Sequence, residues 1–117
     1  MSIEQMDVDM AESVAGVRLL RRAAELVWLQ ADADGPRSER QLLALGIDVA
    51  ADEARELLPE SVDVAGPVPA GVVPVELLRS AERLTADLCR TGAPSGLLAV
   101  RARVVELVWE ANTGAGA

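Results

Sequence analysis

The sequence predicts an all-α antiparallel helical bundle of about four to five helices, with two long helices near the chain ends and a short helical corner. Three observations carry this prediction. Apolar residues recur at three- and four-residue spacing over the stretches at both ends and again from residue 75. Prolines and glycines cluster between those stretches. The core must also be assembled from Leu, Val, Ala and Ile, because Phe and Tyr are absent and Trp28 and Trp109 are the only aromatic residues. At 117 residues the chain fits one domain, in which a chain of this size buries roughly two thirds of its unfolded surface. That domain is expected over residues 1–112, with a flexible tail at 113–117.

In the first helix, about Ile3 to Ala33, Ser2 followed by Gln5 has the form of a capping box. Ile3, Met6, Met10, Val17, Leu20, Ala24, Val27 and Ala31 then fall on one seam. Gly16 interrupts the pattern, and Asp34-Gly35-Pro36 ends it. Ser38 with Gln41 offers a second capping box for a short helix through Leu45, with Gly46 as its C-cap. Asp48 then caps another short helix, about Val49 to Leu58. From Pro59 to Pro74 four prolines and two glycines predict an extended connection. Val75 to Arg90 is sharply amphipathic: Leu77, Leu78, Ala81, Leu84 and Leu88 line one face, opposite Glu76, Arg79, Arg83 and Asp87. After a turn over Thr91 to Gly96, the last helix carries Leu97, Val100, Val104, Leu107 and Ala111 at heptad spacing.

Composition narrows chemistry further than fold. The chain has no His, Lys or Tyr, which removes imidazole bases and ligands, amine nucleophiles and phenol acids; carboxylates, hydroxyls, Arg and Cys89 remain. Abundant Ala, Arg, Gly and Val match the codon bias of a GC-rich, bacterial-type gene. The net charge of −8 arises in the first half, since residues 1–64 hold fourteen acids and six arginines and residues 65–117 hold five of each. Such a balance disfavours phosphate backbones and anionic membranes, so neither a nucleic acid nor a membrane is expected as a partner. No stretch is long and apolar enough to span a bilayer, and the first ten residues lack a basic region. One cysteine excludes an intramolecular disulfide, and a cytoplasmic protein is expected.

Several polar groupings bear on chemistry. The outline of a helix-turn-helix over Ser38 to Leu58 would place Asp48, Asp52, Glu53 and Glu56 against phosphates, which repulsion forbids. Asp32, Asp34 and Gly35 match the third, fifth and sixth positions of a calcium loop over Gln30 to Gln41, but Gln30 and Gln41 stand where its charged ligands belong. Glu53, Glu56, Glu60 and Asp63 are the candidate metal site, with oxygen ligands suited to Mg²⁺. Glu53-Ala54-Arg55-Glu56 and Glu60-Ser61-Val62-Asp63 have the E-x-x-E and E-x-x-D forms, and in that resemble the all-α nucleotide pyrophosphohydrolases of the MazG type. Only three residues separate the two motifs and Pro59 intervenes, so two facing helices cannot carry one each, and the assignment is not carried over. Arg18, Arg21 and Arg22 make a small basic patch able to hold an anion, with Glu25 placed for local ion pairing. Cys89 has no neighbouring base to activate it and reads as a structural thiol.

Apolar geometry says more than any polar motif. In the last helix a second stripe, Leu98, Ala102, Val105 and Trp109, runs at helical spacing away from the heptad stripe. The first helix adds Leu19, Ala23 and Leu26 beside its seam. A helix apolar on two faces is either central in its own bundle or shared with a partner. The expected function is therefore a non-catalytic interaction or regulatory module acting through apolar helix faces. Its partner would be a second copy, as in a homodimer, or another protein, with Trp28, Leu98, Ala102, Val105 and Trp109 as anchors and no cofactor. Two alternatives follow from other features. One is a Mg²⁺-dependent all-α phosphohydrolase using the Glu/Asp cluster, for which Mg²⁺ should raise the melting temperature and Glu56→Gln should abolish the rise. The other is a small-ligand-binding bundle covered by the connection at 59–74.

Overall fold

The computed structural model describes residues 3–34, 38–60, 62–64, 73–90 and 96–115. They form helices α1 (Ile3–Asp34), α2 (Glu39–Glu56), α3 (Pro74–Arg90) and α4 (Gly96–Glu110), with a π-helical turn over Ala111–Ala115 prolonging α4. The expected all-α bundle is the fold. The Ser2 cap, the Gly35-Pro36 stop, the turn over Thr91–Ser95 and the middle of the Pro/Gly connection lie outside the described residues, as do the side chains of residues 3–9.

Local signals account for the helix starts. Ser38 has extended backbone, and its hydroxyl accepts from the Gln41 amide at 3.1 Å, satisfying one of the amides a first turn leaves unpaired. Pro74 opens α3, where a missing amide costs nothing, and the Val73 carbonyl accepts from Glu76 and Leu77.

The short helical corner is corrected. Residues 39–56 are one uninterrupted helix, and Gly46 lies inside it. The glycine serves packing: a Cβ there would stand 2.9 Å from Leu107 Cδ2, so its absence lets α2 and α4 approach closely. Asp48 caps nothing, and its carboxylate instead accepts from the Trp28 indole nitrogen at 2.8 Å.

Contacts between helices fix the arrangement. Trp28 with Asp48, and Ala54 near the end of α2 packed against the cluster of Val14, Val17 and Leu58, set α1 and α2 antiparallel. Arg103 with Glu53 and Leu107 with Gly46 do the same for α2 and α4, and Arg79 with Asn112 for α3 and α4. Among the described residues the backbone of α1 comes within 8 Å of α2 and α3 but not of α4, and that of α2 does not come so near α3. The bundle is thus a square with every edge antiparallel and both diagonals parallel. It has an α1/α2 layer and an α3/α4 layer.

This topology explains the Pro/Gly connection. Neighbouring α2 and α4 are antiparallel, so α2 and α3 must run the same way, and the chain leaving α2 has to return along the bundle before α3 can start. The first part of that return is built on Arg55. Its guanidinium donates to the carbonyls of Leu58, Pro59, Glu60 and Val62 at 3.1–3.4 Å. Leu58 is buried with Val14 and Val17, and Val62 and Val64 pack beside them.

The interior is aliphatic, as the composition requires. Leu20, Val27, Leu43, Ile47, Leu77, Leu78, Val100 and Val104 are all essentially inaccessible, each contributing about 1.5–3 kcal/mol from burial. Ala23, Ala24, Ala44, Ala50, Ala51 and Ala81 fill the helix contacts between them. The one buried polar side chain among the described residues, Thr85, donates back to the Ala81 and Glu82 carbonyls and leaves no unmet donor. No described helix is long and apolar enough to cross a membrane.

Candidate interaction surface

The last helix divides its apolar residues between two faces. Leu97, Val100, Val104, Leu107 and, in the following turn, Ala111 are buried in the core. Leu98, Ala102, Val105 and Trp109, at successive offsets of four, three and four, form a strip along the opposite side. All four are exposed, Leu98 by 59%, Val105 by 42% and Trp109 by 67% of their surface. The strip is about 16 Å long at 1.5 Å per residue. Arg103, Leu107 and Gly96, which meet Glu53, Gly46 and Leu57, mark the side of α4 that faces α2. The strip points away from that side. Exposed Arg101 borders one edge, and exposed Glu106 and Glu110 border the other.

Trp28 does not join this surface. It lies on α1, diagonal to α4, with its ring partly buried against the core and its indole N–H held by Asp48. A buried indole requires such a partner, and Asp48 meets that need on the neighbouring helix. Leu19 and Leu26, the flank expected beside the α1 seam, are partly buried against the same core, and Ala23 is fully buried. These flanking residues on α1 therefore serve the bundle itself.

A second exposed apolar row, unforeseen in the sequence, lies on α2. Leu42, Leu45 and Val49 are all exposed, opposite buried Leu43, Ile47 and Ala50. Their offsets of three and four were legible, but a helix broken at Gly46 hides a row that passes across it. Acids crowd this row, with exposed Asp52 and Glu56 following on the same outer side.

The remaining candidate groups are spread out or engaged. Glu53 pairs with Arg103 of α4 at 2.5 Å, while Glu56, Glu60 and Asp63 are exposed. Among the described residues no three acidic or thiol side chains converge as a metal site would require. Of the basic patch, Arg18 binds the Val64 carbonyl, Arg22 pairs with Glu25 at 3.0 Å, and Arg21 is exposed. Local ion pairing thus takes up one of the three arginines, and a long-range bond to the backbone a second. Cys89 is half-buried and packs against the core.

Compared with protein-family models, with curated proteins and with solved structures, the chain matches none of them.

Proposed function

We propose that this protein is a small non-catalytic interaction module that binds protein through the outer face of α4. The observation that carries the reading is the exposure of Trp109 at the end of a continuous apolar row. A tryptophan offers about 150–250 Å² for burial, so covering the exposed two thirds of this one would contribute about 2.5–4 kcal/mol at ~25 cal/mol per Å². Large aromatic side chains of this kind are the usual centres of binding energy in protein interfaces. Three charged groups elsewhere are engaged in structure: Arg55 on the chain after α2, Asp48 on Trp28, and Glu53 on Arg103.

In-cell photocrosslinking tests this directly. A benzophenone amino acid replacing Val105 should give a protein adduct in the native host, while the same probe at Asp52, exposed on the outer side of α2, should give none. If position 105 forms no adduct with any protein, the reading fails.

A further inference from the structure

Charge is shared unequally between the two layers of the bundle. Helix α1 carries seven acids and three arginines and α2 five acids and two arginines, whereas α3 has three of each and α4 two of each. The α1/α2 layer thus has a net charge of −7 and the α3/α4 layer has none. The apolar strip lies on the neutral layer, on the side of α4 turned away from α2.

We propose that the strip is covered by a second copy of this chain, α3/α4 layer against α3/α4 layer, with the acidic layers on the two outer sides. The proposal rests on the reading of α4 as a docking face and names its occupant. Two chains of charge −8 repel as they approach, and the face that lets them meet without opposing net charge is the α3/α4 face. Pairing through Leu42, Leu45 and Val49 would instead set one −7 layer against another.

The strip also complements itself. A two-fold axis crossing α4 midway between Ala102 and Val105 places Leu98 level with Trp109 of the other copy, and Ala102 level with its Val105. Each large side chain then faces another apolar one, and the smallest meets a medium-sized one, as an isologous contact requires. Size fits as well. Helices of 17 and 15 residues are about 25 and 22 Å long, and lying side by side at ~10 Å they present roughly 500 Å² in projection. The accessible area of such a ridged face is larger, near the ~600 Å² per partner at the lower edge of specific interfaces. An interface of this size lies at the small, weak end of specific contacts.

Sedimentation equilibrium of the purified full chain, up to about 200 µM and at about 0.05 and 0.5 M NaCl, tests the proposal. The expected result is a two-copy mass whose dissociation constant stays level or falls as salt screens the residual repulsion. Leu98→Glu and Trp109→Glu should each weaken the dimer at least about tenfold, with helix content intact and melting unchanged at a concentration low enough for isolated chains, and Leu42→Glu should leave the dimer unchanged. A monomer throughout, a dimer weakened by salt, or a dimer broken by Leu42→Glu but not by Trp109→Glu would each overturn it. A monomer whose Val105 probe still captures a different protein would overturn self-pairing alone. A monomer with no adduct would overturn the docking face with it.

Discussion

Two glycines inside helices give a quantitative test of the packing between α2 and α4. Replacing either Gly16 or Gly46 by alanine brings the same helix-propensity gain, up to about 1 kcal/mol. The gain is common to both and cancels in the comparison. At Gly16 the added methyl meets nothing within 4 Å, so Gly16→Ala should stabilise by about 0.5–1 kcal/mol. At Gly46 it would meet Leu107 Cδ2 at 2.9 Å, well inside the ~3.5–4.0 Å optimum for carbon pairs. Leu107 is only 4% exposed and belongs to the core, so it must be displaced. Overpacking of this kind costs about 1–3 kcal/mol, and a clash with one terminal methyl belongs in the lower half of that range. Gly46→Ala should therefore fall about 1–2 kcal/mol below Gly16→Ala. In a background of Leu107→Ala the obstacle is gone, and the Gly46→Ala deficit should vanish, a coupling of about 1–2 kcal/mol. Urea unfolding followed by helix ellipticity at one fixed protein concentration measures all of these. If Gly46→Ala stabilises as much as Gly16→Ala, and the cycle with Leu107 closes within about 0.3 kcal/mol, the close approach of α2 and α4 at Gly46 is wrong.

Three further outcomes are expected. Asp48→Ala should cost about 1–2 kcal/mol, as a half-buried indole N–H loses a charged acceptor, and Asp48→Asn should cost less because an acceptor remains; urea midpoints compare the two. Arg55→Ala should speed amide hydrogen exchange at Leu58 and Val62, whose N–H groups bond to Arg55 and Pro59 carbonyls, and Arg55→Lys should not restore protection because an ammonium cannot span four carbonyls; unchanged exchange would remove Arg55 as organiser of that segment. Trp109→Ala, at a concentration low enough for isolated chains, should change stability by less than about 0.5 kcal/mol, as expected of a side chain facing solvent.

Much of the core was legible because it depends on period alone. Val17, Leu20, Ala24, Val27 and Ala31 of α1, Leu77, Leu78, Ala81 and Leu88 of α3, and Leu97, Val100, Val104, Leu107 and Ala111 at the C-terminal end are all buried as their spacing required. What spacing lacks is the identity of the neighbour across a contact. A glycine after a short apolar run reads as a helix stop, and only Leu107 on another helix shows Gly46 to be a point of close approach. Asp48, followed by an apolar run, has the chemistry of a cap; it equally has the chemistry of an acceptor for an indole twenty residues away. The α4 strip was visible because it stands on one helix. Trp28 falls in with it in the sequence because no periodicity says that α1 and α4 occupy opposite corners of a square. The carboxylates from Glu53 to Asp63 are close in sequence, but a helix end and Arg55 turn them apart.

The return of the chain along the bundle between α2 and α3 has a consequence for how the protein folds. It divides the sequence into two helical hairpins, α1 with α2 and α3 with α4, each of which can close over a short connection. Every contact from one hairpin to the other, by contrast, waits for a single long-range meeting. Local hairpins assemble quickly, and the entropy of closing a loop grows only with the logarithm of its length. The entropic cost of that meeting therefore depends only weakly on the length of the connection. Lengthening the chain between Val64 and Val73 would slow it very little.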